Sequence, residues 1–385
     1  MRAVVAGCLS PTFRHLQSPV FEVNPLLQRR KSRVIHVGRL AIGGDNPVSV
    51  QSMTNTDTWD VRATVAQILE LERAGCELVR VAVPDMEAAR KLSAIKAGIN
   101  IPLVADIHFD YRLALEAIEQ GVDGLRLNPG NIGGPDRVRA VVRAARERQV
   151  AIRIGVNAGS LEKELLARYG RPTPAAMVES AMSQVRLLAD MGFDQIKVSL
   201  KATDVPLMLA AYRLMAATSD YPLHLGVTEA GTAIGGTVKS SVGLGILLAE
   251  GIGDTLRVSL TGDPVQEVIV GFEILRALGL RQRGVELISC PTCGRCQIAL
   301  VPVAEEVERR LRHLTTPLKV AVMGCEVNGP GEARMADVGV AGGRGGGLLF
   351  RRGEVIRKVS LAEMADVLVA EAERMAQEME SRAGA

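Results

Sequence analysis

Residues Ala151-Ile-Arg-Ile-Gly-Val-Asn157 set Arg153, Gly155 and Asn157 against Ile154 and Val156 in strict alternation. Side chains two apart on a strand look the same way, so this run is a strand with one apolar face and one polar face. The pattern recurs on both sides of it. Arg126 and Asn128 flank Leu127, and Lys197, Ser199 and Lys201 alternate with Val198 and Leu200. Arg257, Ser259 and Thr261 alternate with Val258 and Leu260, and His224, Gly226 and Thr228 follow the rule, as do Asp106 and His108. In all, eight β-rich runs are expected: Val48–Met53, Leu78–Val83, Pro102–Ile107, Gly124–Asn128, Ala151–Val156, Gln195–Leu200, Leu223–Thr228 and Thr255–Leu260. Stretches with helical apolar spacing lie between them, among them Val61–Ala74, Glu87–Ala97, Tyr111–Glu119, Pro135–Arg148 and Pro206–Ala217. Eight β-then-α units in roughly 235 residues predict a closed (β/α)8 TIM barrel of the α/β class. An open doubly wound sheet is the alternative, since it too alternates strand and helix.

The outer face of a barrel strand packs against helices, so the polar set must face the lumen. Arg80, Arg126, Arg153, Lys197 and Arg257 then converge from five strands. Cations confined together repel and resist desolvation, so something anionic must meet them. Partial compensation by Asp106 and Glu229 is one reading. A ligand carrying two or more phosphate charges is the other, because guanidinium geometry suits phosphate oxygens. Barrel chemistry sits at the carboxyl ends of the strands, which here carry Gln51-Ser-Met-Thr-Asn55, Asp106-Ile-His108, Asn128-Pro-Gly-Asn131, Asn157, Lys201, Thr228-Glu229 and Ser259-Leu-Thr261. Glu229 is the candidate for proton transfer, with a plain salt-bridge role as its alternative. Surrounding cations would keep it ionised, so a donor role requires the substrate to raise its pKa. His108 is open between catalysis, phosphate binding and structure.

Composition narrows the class further. The 385 residues are 47% hydrophobic, 23% charged and only 3% aromatic, with a net charge of +3. These values exclude wholesale disorder, a global field for nucleic acid and a base-stacking surface. No apolar run approaches the ~20 residues of a membrane span, so a soluble, cytoplasmic protein is expected. Residues 1–40 hold seven Lys/Arg against Glu22 alone and lack the apolar core of a secretory signal. Residues 1–30 are therefore expected to be a poorly ordered extension, followed by a barrel over 31–280 and a small α+β domain over 281–385.

That last domain is expected to hold a helix (Val303–Leu314), a strand (Leu318–Met323), three short strands around the glycine-rich segment 342–347, and a final helix (Leu361–Met379). Four of the six cysteines, Cys290, Cys293, Cys296 and Cys325, fall within it. In a reducing compartment such a cluster reads as a metal site before a disulfide. Zinc sites usually end on a second close ligand pair, which Cys325 lacks, whereas an iron–sulfur cluster tolerates the spacing. The residues alone leave open whether Cys296 or some other group completes the ligand set. Structural zinc in a non-redox barrel enzyme, and a non-catalytic iron–sulfur sensor of a diphosphate metabolite, are the rival readings.

Five segments carry a resemblance: Val50-Gln-Ser-Met-Thr-Asn-Thr56, Arg126-Leu-Asn-Pro-Gly-Asn131, Gly226-Val-Thr-Glu-Ala-Gly231, Ser289-Cys-Pro-Thr-Cys-Gly-Arg295 and Gly324-Cys-Glu-Val-Asn-Gly-Pro-Gly-Glu-Ala333. Together they resemble the 4-hydroxy-3-methylbut-2-enyl diphosphate synthase family over about residues 30–375. The resemblance implies a 4Fe–4S cluster on Cys290, Cys293, Cys325 and Glu332, with Cys296 a bystander. It implies reductive ring-opening of 2-C-methyl-D-erythritol 2,4-cyclodiphosphate, with Arg80, Asp106, His108, Arg126, Arg153, Asn157, Lys197, Arg257, Ser259 and Asn328 around the substrate and Glu229 managing a proton. Reduced flavodoxin or ferredoxin would supply the electrons. The closing helix of a barrel delivers the chain to the face opposite the catalytic mouth, and residues 281–289 span at most ~30 Å. A homodimer in which each cluster domain closes over the partner's barrel is therefore expected, as the resemblance also implies.

Overall fold

The computed structural model describes residues 28–128, 132–325, 331 and 335–383. The chain divides into two compact units at the Pro264–Val265 junction.

In the first unit, the strands Ser49–Met53, Leu78–Ala82, Leu103–Asp106, Gly124–Leu127, Ala151–Asn157, Ile196–Lys201, His224–Leu225 and Thr255–Leu256 form one parallel sheet. The eighth strand returns to the first through Thr255↔Ser49, and the bridge Val198↔Leu223 joins the sixth to the seventh. The sheet therefore closes on itself, and the expected barrel is the observed one. Each expected strand is present, but the last two are cut short: Leu223–Thr228 is reduced to His224–Leu225 and Thr255–Leu260 to Thr255–Leu256, so Thr228 and Ser259 fall beyond strands. The expected helix over Glu87–Ala97 is instead two, Met86–Arg90 and Leu92–Ala97, which meet at Lys91.

Register fixes which side chains share the lumen. Cα partners run Met53↔Arg80, then Asp106↔Arg126, Arg126↔Arg153 and Arg153↔Lys197. Partners in a parallel sheet point to one side, so these residues line the same face as Asn157 and its partner Lys201. Outward residues such as Val79, Val81, Leu125, Ile152, Ile154, Val198 and Leu200 are fully buried, as packing beneath helices requires.

Helix starts ring the strand ends that carry the chemistry. Asp60, Asp85, Asp110, Thr173 and Asp204 each accept a hydrogen bond from a backbone N–H of the first helical turn. Such caps stabilise each helix by ~1 kcal/mol and orient its positive dipole end toward the barrel mouth. At the other end an antiparallel hairpin, Ile35–Val37 with Leu40–Ile42, packs Ile35, Val37 and Ile42 on Leu78, Val104 and Ala151. It plugs the floor of the lumen with apolar side chains. The neighbouring residues Arg29 and Arg30 are tied to the same unit: Arg29 donates to Asn46 O, and the Arg30 N–H donates to Gly251 O.

The second unit opens with the helix Pro264–Ala277 and contains a five-stranded sheet in chain order: Val285–Ser289, Leu318–Met323, Val338–Gly343, Gly346–Arg351 and Glu354–Val359. The first three strands are parallel and the last three antiparallel. Val320, Val322, Val338 and Val340 face the helices Leu300–Leu311 and Met364–Ala383 through Val307, Leu311, Leu368 and Val369. Ala321, Met323, Ala341 and Phe350 form a smaller apolar cluster on the opposite face, and Cys290 packs against it. The glycine-rich segment is the hairpin between the third and fourth strands of this sheet.

Candidate functional site

The lumen brings together most of the cations that the alternation had selected. Arg126 Nη1 lies 3.2 Å from Asp106 Oδ1, and Arg80 Nε lies 3.6 Å from Asp106 Oδ2. Arg80 also donates from Nε and Nη2 to Met53 Sδ, at 3.2 and 2.9 Å. His108, exposed at the rim, has Nε2 3.6 Å from Asp106 Oδ2 and both ring nitrogens 3.4 Å from Arg126 Nη1. Burial works to raise the pKa of Asp106, but Arg80, His108, Arg126 and Arg153 overcome it and hold the carboxyl well below the usual range. Among the described residues, Asp106 is the one acidic side chain on the inward face of the eight strands.

Deeper in, Asp106 offsets only part of the charge. Arg153 is 1% exposed and donates from Nη1 to Ser199 Oγ at 3.1 Å, while its Nε and Nη2 have no hydrogen-bond partner. Burial first, then Arg80 and Arg126, disfavour its charge. A guanidinium does not give up its proton in a protein, so that cost becomes a demand for an anion. Lys197 Nζ is buried without a partner, and burial, with Arg153 and Arg80, pulls its pKa down to about 7. Lys201 is pushed well below its ordinary value by burial, then by Arg153 and Arg257.

Two inward glycines make room for this arrangement. A Cβ at Gly155 would lie 2.8 Å from Arg126 Nε, and one at Gly226 would lie 2.7 Å from Lys201 Nζ. Arg257 is half-buried with Nη1 3.8 Å from Met53 Sδ, Asn157 is half-buried at the end of its strand, and Ser259 is half-buried three residues past Leu256. Glu229 is exposed, its backbone held at φ 53°, and its Oε2 accepts from Thr203 Oγ1 at 3.2 Å.

Lys201, Gln51 and Met53, read from the sequence at strand ends, and His224, read on a polar strand face, belong to this site, and Thr203 joins them without a sequence signal. For Lys201 and His224 the signal was present, since each falls on the polar set of its strand. His224 is fully buried, and burial followed by Arg153 and Lys201 keeps its imidazole neutral. Gln51 and His224 Nε2 also lack partners in the lumen.

In the second unit, Cys290 and Cys325 lie just beyond the ends of neighbouring parallel strands, paired through Ser289↔Val322. The Gly324 N–H donates to Cys290 Sγ at 3.4 Å, and Gln297 N–H donates to Gly324 O at 2.8 Å. A Cβ at Gly324 would lie 2.4 Å from Cys296 Sγ and 3.5 Å from Cys290 Sγ, so the bare backbone is a cradle for sulfur. Thr292 turns the loop at φ 50° and leaves Cys293 exposed. Hydrogen bonds from the Arg295 backbone and side chain hold the Cys293 thiol below its usual pKa. Among the described residues, no three His, Cys, Asp or Glu side chains are grouped to hold a metal. Glu332 and Asn328 lie outside the described residues. The donor chemistry, thiols gathered over a glycine at two strand ends, fits an iron–sulfur group.

A closed barrel with a cation-lined lumen, carried on one chain with a thiol-bearing α+β domain, defines a class: two-unit enzymes built on a TIM barrel. The chain belongs to the GcpE family, matching the GcpE TIM-barrel domain over residues 32–272 and the GcpE protein C-terminal domain over residues 286–374. It is 68% identical over 347 residues to the 4-hydroxy-3-methylbut-2-en-1-yl diphosphate synthase (flavodoxin) of Geobacter sulfurreducens, covering 90% of this chain and 98% of that protein. Proteins of the same name from Maridesulfovibrio salexigens and Clostridium perfringens are 63% and 58% identical, covering 87% and 89% of this chain and 93% and 98% of theirs. Among the described residues, no helix is long and apolar enough to cross a membrane.

Proposed function

We infer that the chain forms 4-hydroxy-3-methylbut-2-enyl diphosphate by reductive opening and dehydration of 2-C-methyl-D-erythritol 2,4-cyclodiphosphate, a step of non-mevalonate isoprenoid synthesis. The bond from the tertiary ring carbon to its phosphate oxygen breaks, and the neighbouring hydroxyl leaves as water after taking up a proton. Two electrons enter, and an alkene joins the two carbons. Reduced flavodoxin is the donor in this reading. The observation that carries it is the lumen, where Arg80, Arg126 and Arg153 act on the carboxylate of Asp106 and Lys197, Lys201 and Arg257 add positive charge.

A cyclic diphosphate supplies the missing negative charge. Arg126, Arg153, Lys197 and Arg257 bind its oxygens, while Asp106 orients Arg80 and Arg126. His108, Asn157, Ser259 and Asn328 complete the contacts. Glu229, held by Thr203 at a strained φ, delivers the proton to the departing hydroxyl. Cys290, Cys293, Cys325 and Glu332 would hold a 4Fe–4S cluster, which would supply one-electron chemistry when bound.

The working division is a substrate domain over 31–280 and a cluster domain over 281–385, preceded by an extension. Two chains pair so that the cluster domain of each closes over the other's barrel. The test is anaerobic purification, iron, sulfide and zinc analysis, and turnover of the cyclodiphosphate with reduced flavodoxin. About four iron and four sulfide per chain with product formation is the expected result. Stoichiometric zinc without sulfide overturns the redox reading.

A further inference from the structure

Cys296 has no part in the ligand set above; it packs half-buried against the core of the second unit, yet it also closes a turn with another thiol. With Cys293 it closes a Cys-x-x-Cys turn, Cys293-Gly-Arg-Cys296, in which the Cys296 N–H donates to Cys293 O at 2.9 Å. A β-turn of this kind keeps its end Cα atoms within ~7 Å, and disulfides bridge Cα separations of ~4.4–6.8 Å. A Cβ at Gly294 would meet nothing within 4 Å, so the turn stands open to reagents. The two thiols differ in access: Cys293 is exposed, while Cys296 is half-buried and donates from Sγ to Ile298 O at 3.3 Å. Cys290 is half-buried as well. It accepts the Gly324 N–H and packs on the cluster of Ala321, Met323 and Phe350, and Cys325 is buried.

We propose that in the metal-free chain Cys293 and Cys296 form a reversible disulfide, with Cys293 the thiol attacked first and Cys296 the thiol that resolves it. A hydroperoxide is the oxidant. The Cys293 sulfur takes one oxygen from hydrogen peroxide to give a sulfenic acid and one water. The Cys296 sulfur then displaces hydroxide from it, forming the S–S bond and a second water. A dithiol reductant returns the two electrons and two protons, restoring both thiols. Cys296 thereby protects a cluster ligand from irreversible sulfinic and sulfonic oxidation while the cluster is absent. The proposal rests on the reading of Cys293 as a ligand only for its benefit, since the disulfide itself forms or fails without metal.

The test uses the full-length chain, stripped of iron by an anaerobic chelator and treated with one equivalent of hydrogen peroxide. Free thiols are then alkylated and the chain is digested with trypsin for mass spectrometry. Trypsin cuts after Arg295, between the two cysteines. The expected product is a linked peptide pair that separates on reduction, with Cys290 and Cys325 alkylated. Fragmentation that joins Cys296 to Cys290, or Cys290 to Cys293, overturns the proposal. So does a freely alkylated Cys296. With excess peroxide, Cys296→Ser and Cys296→Ala should each carry several-fold more sulfinic or sulfonic acid at Cys293 than the parent chain. After dithiothreitol the parent should recover its full thiol count. Equal irreversible oxidation in parent and variants removes any resolving role for Cys296.

Discussion

Lys197 shows at the scale of one residue how the lumen is tuned. Its ammonium, buried and facing Arg153 and Arg80, has a pKa of about 7, whereas an unfolded lysine titrates near ~10.4. Between those values the folded, ligand-free chain binds fewer protons than the unfolded one, so its stability rises with pH across that window. An anionic ligand reverses the preference, because it draws a proton onto Lys197. Affinity is then full below the folded pKa and falls as pH rises above it. Calorimetry from about pH 6.5 to about pH 8.5 should show the cyclodiphosphate weakening by up to roughly tenfold per unit, with proton uptake on binding. Lys197→Met should flatten that slope; an unchanged slope would place the titration elsewhere. Asp106 makes the complementary case. Asp106→Asn leaves Arg80 and Arg126 without their shared carboxylate and should cost about 3 kcal/mol of ligand-free stability. Denaturant melts check this, and added pyrophosphate should restore more stability to the variant than it adds to the parent chain.

Strands were legible where their two faces differ and illegible where they do not. Ala151–Asn157 and Ile196–Lys201 announce themselves because guanidinium and ammonium groups alternate with branched apolar side chains. The floor hairpin, with strands of three residues, is too short for alternation to register. Val285–Ser289 escaped because its side chains are half-buried or exposed along its whole length, leaving no clean polar face. Nor could the sequence show that Glu229 sits at positive φ, since that depends on how the strand end meets Thr203. The glycines on the inward faces carry information of another kind. Gly155 is small because Arg126 lies across it, so a single methyl there acts on a residue of a neighbouring strand. Gly155→Ala should displace the Arg126 guanidinium from Asp106 and weaken ligand binding about tenfold, while costing no more than about 2 kcal/mol of stability. Titration calorimetry beside a thermal melt separates the two effects. A large loss of stability with unchanged affinity would refute the assignment.

The two units raise the question of which barrel each thiol cluster serves. The proposed dimer answers it with a site completed by a second copy, and closed two-fold dimers are the commonest homo-oligomers. Complementation decides the matter without a structure of the assembly. Glu229→Ala removes the proposed proton donor and Cys325→Ser a proposed cluster ligand, so each variant alone should be inactive. If every site joins the barrel of one chain to the thiols of another, a mixed dimer holds one site with both halves intact. Random re-pairing of equal amounts makes half the dimers mixed, each with one good site of two, so activity should return to about a quarter of the parent value. If each site lies within a single chain, neither chain in any mixture carries both intact halves, and activity should stay at the level of the separate variants.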